Sequence, residues 1–170
     1  MNYLERYQSW LNAGLPADLQ AELTSIAGDE EELKGRFGGD LQFGTAGMRG
    51  IMGAGSNRLN RYTVRRAAQG MAAWLSGTDL PQVAAIGYDS RHNSQLFAEV
   101  CAVAFAEKGI KTWLYDRLAP TPMLSYAVRQ LGCFLCAYII RRRRSPQQAW
   151  AQSVRGTWRG YPEPETRTAR

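Results

Sequence analysis

Between residues 83 and 140 the chain alternates strand, helix, strand, helix, strand, and this run constrains the fold more than any other feature. Val83-Ala84-Ala85-Ile86-Gly87 is a short apolar strand. A helix follows over 94–108, with Phe97, Val100, Cys101, Ala104 and Phe105 recurring on one side and Gly109 past its end. Lys111 to Tyr115 is a second strand. Pro120-Thr121-Pro122 opens another helix whose apolar side holds Leu124, Ala127, Val128 and Leu131. Phe134 to Ile140 is a third strand, apolar on both faces. Strands buried on both faces and joined through helices form right-handed βαβ units around a parallel sheet.

The residues before this run read differently. Over 3–37 the spacing predicts helices: Tyr3, Tyr7, Trp10 and Leu11 share one face, and Pro16 opens a second helix carrying Leu19, Leu23 and Ile26. Asp29-Glu30-Glu31-Glu32 suits the first turn of a third, since carboxylates favour the positive end of the helix dipole. Residues 38–57 hold seven glycines and read as loop. Asn60 then caps a helix over 61–76, with Val64, Ala68, Met71 and Leu75 as its buried stripe and Gly77 as its stop. The expected organisation is a helical extension over 1–37, an α/β domain over 38–140 and a tail over 141–170. The expected fold is a three-layer α/β/α domain with a mainly parallel, mixed sheet, incomplete at its C-terminal side.

Charge separates the tail from the rest. Residues 1–140 carry 13 basic and 13 acidic side chains, whereas 141–170 carry eight arginines against two glutamates, so the whole net +6 lies in the tail. The neutral part therefore gives no sign of an anionic partner. The tail, with Arg141 to Arg144, Trp150, Trp158, Pro162 and Pro164, shows no sustained helical or strand period; a short helix over 146–153 at most, and otherwise disorder, is the expectation. Three cysteines give no disulfide framework and point to a reducing, cytoplasmic setting. Cys133 and Cys136 form a C-x-x-C inside an apolar run, which favours core packing over redox or metal chemistry. No apolar stretch approaches the roughly 20 residues that span a bilayer, and Met1 to Trp10 lacks a signal-peptide core.

Two segments could carry chemistry, because ligands of open α/β sheets bind beyond the carboxyl ends of the strands. Tyr88-Asp89-Ser90-Arg91 follows the first strand of the run. Gly44-Thr45-Ala46-Gly47-Met48-Arg49-Gly50 offers amides, a hydroxyl and a guanidinium, a set that suits phosphate. Tight turns explain the glycines equally, and an ion pair at a strand end explains Asp89 with Arg91. His92, the one histidine, reads as a turn or cap residue.

Four segments together resemble the α-D-phosphohexomutases, in the phosphoglucomutase and phosphomannomutase branch. They are Phe43-Gly44-Thr45-Ala46-Gly47-Met48-Arg49-Gly50; Asn60-Arg61-Tyr62-Thr63-Val64 with Ala68-Gln69-Gly70; Ala85-Ile86-Gly87-Tyr88-Asp89-Ser90-Arg91; and Ala119-Pro120-Thr121-Pro122-Met123-Leu124. The resemblance covers about residues 1–140. It implies four domains around one cleft, and an isomerase that moves a phosphoryl group between the 1- and 6-hydroxyls of a hexose through a phosphoserine. It also implies magnesium held by a second domain, and Thr45, Gly47, Arg49 and Arg91 as residues lining the active site, with Arg49 bearing on phosphoryl charge.

The resemblance stops where catalysis would begin. The family's phosphoserine loop, Thr-Ala-Ser-His-Asn-Pro, is expected directly after the strand over 134–140. Here Arg141-Arg142-Arg143-Arg144-Ser145-Pro146 stands there, and Ser145 lacks the His-Asn context. The expectation is a frameshifted or truncated first domain with no catalytic residue, no metal site, no cofactor of its own and no turnover of hexose phosphate. An open sheet edge, and self-association through it, should follow. The rival expectation is a genuine C-terminus whose arginines bind nucleic acid or another polyanion.

Overall fold

The structure is a computed structural model that describes residues 2–44, 47–141 and 148–155; for residues 140, 141 and 148–155 it describes the backbone course and pairing alone. Three helices come first: α1 (Tyr3–Leu11), α2 (Ala17–Ser25) and α3 (Glu30–Phe37). Asn2 closes a capping box on α1, accepting from Glu5 N at 2.8 Å while Asn2 N donates to Glu5 Oε2 at 2.9 Å. Asp29 caps α3 by accepting from Glu32 N at 3.0 Å, so the acidic run is a helix start. Tyr7, Leu23, Leu33 and Phe37 close a small core, and Tyr7 meets Phe37 edge-on with ring centroids 5.6 Å apart.

A hairpin follows, β1 (Phe43–Gly44) with β2 (Gly47–Ile51). The glycines conceal it in the sequence, because glycine contributes no side-chain preference for a strand. Gly50 is needed there: a Cβ at this position would stand 2.8 Å from Leu41 Cδ1. Helix α4 (Arg61–Ser76) starts at Asn60, whose side chain accepts from Tyr62 N and Thr63 N, both at 3.0 Å. Then come β3 (Val83–Tyr88), α5 (Ser94–Ala106), β4 (Lys111–Leu114), α6 (Thr121–Gln130), β5 (Leu135–Arg141) and β6 (Gln148–Arg155).

The six strands make one sheet in the order β1-β2-β6-β5-β3-β4. Strands β5, β3 and β4 are parallel neighbours, as right-handed crossovers through α5 and α6 require. The other half is antiparallel, because β6 pairs with β5 on one side and β2 on the other. Regular structure over 148–155 departs from the expected tail. The reason is long-range pairing: two open strand edges, β5 and β2, impose extended backbone on a segment whose own pattern is weak. The edge expected to stay open beside β5 is therefore covered, and the sheet ends at β1 and β4.

The two faces are packed unequally. On one, α4 and α5 bury Leu75, Phe97, Cys101 and Phe105 against Ile86, Leu135 and Ile139. On the other, α6 buries Leu124 alone, against Ala85, Cys136 and Tyr138. Leu131, expected on the buried side of α6, is exposed, as are Met123 and Tyr126. Among the described residues no helix is long and apolar enough to cross a membrane.

Candidate functional site

Strand directions gather the candidate residues at one end of the sheet. Because β6 runs antiparallel to both β5 and β2, β2 points the same way as β5 and β3. The register aligns Met48, Ala151, Ile139 and Tyr88 across four strands. One residue further along, Arg49 is level with Trp150, Ile140 and the start of the Asp89 loop. Three strand spacings of about 4.8 Å separate the two ends of that row, so Arg49 and Asp89 stand roughly 14 Å apart along the sheet. Both lie beyond the carboxyl ends of the parallel strands, where a ligand of such a sheet is expected.

The Asp89 loop is held tightly. Asp89 N donates to Ile139 O at 3.2 Å, which docks the loop against the end of β5. Its carboxylate accepts from Ser94 Oγ at 2.6 Å and from Arg91 N at 3.1 Å, and it pairs with Arg91 Nε at 3.2 Å. The reading of Asp89 and Arg91 as an ion pair is therefore realised, with the Arg91 guanidinium still half-exposed. Asn93 turns the chain into α5 with φ +64°, a left-handed conformation that asparagine tolerates better than most residues. Tyr88, Asp89, Ser90, Arg91, Asn93 and Leu118 border a cleft of about 420 Å³. It can take an anion at its rim through Arg91, whereas the Asp89 carboxylate repels one from its floor.

The hairpin carries the other residues. Thr45 lies outside the described residues. Gly47 is buried at the hairpin end with φ +105°, a backbone setting that favours glycine. Arg49 is exposed on β2, while its neighbour Met48 is buried in the main core, as strand alternation demands. His92 is exposed away from Asp89 and borders a separate cavity with Asp18, Glu22 and Arg61. Cys133 and Cys136 are buried free thiols below α6; burial, with Cys136 beside it, pushes the Cys133 thiol up to about 11. A thiol so raised is a poor nucleophile and metal ligand. Among the described residues no three His, Cys, Asp or Glu side chains converge, so the donor set offers magnesium no holder and no step is derived through it.

One cluster goes unannounced by the sequence. Arg36, at the end of α3, pairs with Glu22 of α2, with Glu32 at 2.7 Å and with Ala54 O at 3.2 Å. Burial opposes its charge, and the hydrogen bonds to Glu22 and Glu32 outweigh burial, so its pKa is raised above the ordinary value. Glu32 to Arg36 is an i,i+4 pair readable in the sequence. Glu22 to Arg36 is tertiary, and no spacing rule would find it.

Comparison with known proteins joins these observations. Residues 40–148 match the family model described as phosphoglucomutase/phosphomannomutase, alpha/beta/alpha domain I. A phosphoglucomutase of Staphylococcus haemolyticus is 46% identical over 95 residues, covering 56% of this chain and 17% of that protein. A phosphopentomutase of Mus musculus is 37% identical over 131 residues, covering 71% of this chain and 21% of that protein. The crystal structure of a Thermus thermophilus protein assigned as a phosphomannomutase superposes with TM-score 0.62 at 26% identity, over 69% of this chain and 26% of that one. The chain thus spans about one fifth of the length of the curated relatives it matches. Over 40–148, and in its parallel strands and covering helices, the chain belongs to the phosphoglucomutase/phosphomannomutase family as domain I.

Proposed function

We propose that this chain holds the first-domain share of a sugar-phosphate mutase site and does not itself complete phosphoryl transfer. The observation that carries the proposal is the sequence after β5. Phosphoryl transfer by this family's route needs an oxygen nucleophile that accepts the group and returns it. Where Thr-Ala-Ser-His-Asn-Pro is expected, Arg141-Arg142-Arg143-Arg144-Ser145-Pro146 follows. Arginines neutralise phosphoryl charge but cannot carry the group. Arg49 and Arg91, at one end of the sheet, would bind and orient an anionic sugar phosphate beside the place where the carrier is expected. Relatives named for glucose and for pentose phosphates make the substrate class a sugar phosphate.

The test is a turnover assay with glucose 1-phosphate, magnesium and a glucose 1,6-bisphosphate primer. No glucose 6-phosphate should form; measurable turnover above a blank overturns the proposal. Sequencing the encoding DNA from the Val128 codon onward separates the two origins of residues 141–170. A Thr-Ala-Ser-His-Asn-Pro reading in another frame assigns the activity to the restored protein. If no frame restores it, and polyanion affinity falls steeply with salt and vanishes on deleting 141–170, a binding role replaces the mutase reading. Cytoplasmic location fits both origins. Self-association is expected through β4, an edge strand bearing exposed Trp113 and Leu114, and sedimentation that does not change with concentration would exclude it.

A further inference from the structure

The helical extension and the hairpin that carries Arg49 are bolted together at several separate points. Ala54, in the loop after β2, is buried inside the helices' own core with Tyr7, Leu23, Leu33 and Phe37. Its amide donates to Glu22 Oε2 at 3.0 Å, and its carbonyl accepts from Arg36 Nη1 at 3.2 Å. Arg36 O accepts from Asn57 N at 2.9 Å. Gly53 and Gly55 have φ of +143° and +131°, and a Cβ on either would strike Glu22 Oε1 at 2.5 Å or Arg36 Cβ at 2.9 Å. The loop is therefore shaped to fit against this one ion pair.

The chain between α3 and β1 makes a second joint. Leu41 N donates to Ser56 O at 2.9 Å, Ser56 Oγ donates to Gly39 O at 2.7 Å, and the Leu41 side chain fills the space over Gly50. Asp40 pairs with Arg6 of α1 at 3.1 Å and with Arg66 of α4 at 3.2 Å. From the loop the constraint passes into β2 itself, because Leu59 N donates to Ile51 O at 2.8 Å, two residues from Arg49.

We propose that Arg36 and Glu22 are positioning residues: through the Gly53–Gly55 loop they set the place of β2, and with it the place from which Arg49 meets a phosphoryl group. The extension is then part of the binding machinery, although none of its residues touches the ligand. This rests on the proposed role of Arg49. A partly buried ion pair that also holds the loop's amide and carbonyl suits the task, since loss of either partner leaves the other charge uncompensated and releases the loop.

The experiment measures glucose 1,6-bisphosphate binding to the full chain by calorimetry, with amide hydrogen exchange read at Ala54 and Leu59. Wild type is compared with Arg36→Gln, Glu22→Gln, Arg49→Ala and, as a control at an exposed pair, Lys34→Ala. Arg36→Gln and Glu22→Gln should each weaken binding about tenfold, the usual size of coupling carried through a packed network. They should also speed exchange at both Ala54 and Leu59, while Lys34→Ala matches wild type. Glu22→Gln keeps the side-chain volume, so it serves where Arg36→Gln does not fold. Faster exchange at Ala54 with unchanged binding overturns the positioning role. No binding by wild type, or an Arg49→Ala affinity equal to wild type, overturns the reading of Arg49 on which the proposal rests.

Discussion

The sheet has one side where every joint is filled and one side that is hollow. Against α4 and α5, large side chains such as Phe105 and Leu75 are fully buried, and the polar groups at the start of α4 are paired. Asn60 alone serves five partners: it accepts from Tyr62 N and Thr63 N and donates to Gly53 O, Gly55 O and Arg58 O. Against α6, a cavity of about 310 Å³ lies between Leu124, Val128, Cys133, Cys136 and Tyr138. Helices cover both faces, yet the burial that stabilises the fold is concentrated in one of the two interfaces.

The sharpest way to break the contrast is truncation on each side. Phe105→Ala should destabilise by about 3–5 kcal/mol, whereas Leu124→Ala should cost only about 2 kcal/mol, because the space beside it already lets neighbours relax. Urea denaturation read by circular dichroism decides; equal losses would erase the distinction. Asn60→Ala should fall between them at about 2–3 kcal/mol, since it removes a cap and strands buried carbonyls. A loss no larger than that of an exposed cap would show the carbonyl contacts to be idle.

Thiol chemistry sharpens the contrast further. Burial pushes Cys101, on the filled side, up to about 12, and Cys133, on the hollow side, up to about 11. Neither should alkylate readily at about pH 8, and as pH rises Cys133 should react before Cys101. Peptide mass spectrometry after timed iodoacetamide treatment reads the order, and reaction of Cys101 first would contradict it.

The smallest effect belongs to the joint beside the helices. The hydrogen bond from Arg36 holds the Glu32 carboxyl below its ordinary value of 4.5. Its contribution is therefore complete above that value and is lost as pH falls through the lower, folded one. Glu32 is 43% exposed, so screening keeps the contribution small. Glu32→Gln should flatten the stability profile below pH 4.5 and leave it unchanged near neutrality, which acid titration followed by circular dichroism would check.

Much of this was legible in the residues. Helical spacing located α1 to α6, and unbroken apolar runs located β3 and β5, because in both cases the burial pattern is local. Strands β1 and β2 were not legible, since Gly44, Gly47 and Gly50 are there for close approach and turning rather than for strand preference. Strand β6 was not legible for a different reason: its conformation comes from two neighbours far away in the chain. Leu131 fits the apolar side of α6 by spacing, but that helix ends in the hollow interface and leaves it exposed. The same division holds at the candidate site. The strand-end position of Asp89 and its pairing with Arg91 follow from local order, whereas the support of Arg49 by Arg36 and Glu22 is tertiary throughout.

The central place of β6 has a consequence in time. The parallel strands β3, β4 and β5 lie within residues 83–141 and can pair as soon as that stretch is made. The hairpin of β1 and β2 is synthesised much earlier but reaches the rest of the sheet only through β6, about a hundred residues later. Loop closure over such a separation is slow. Arg49 must therefore wait, anchored to the helices but detached from the sheet, until the last strand arrives, so the candidate site is the final part of the molecule to assemble.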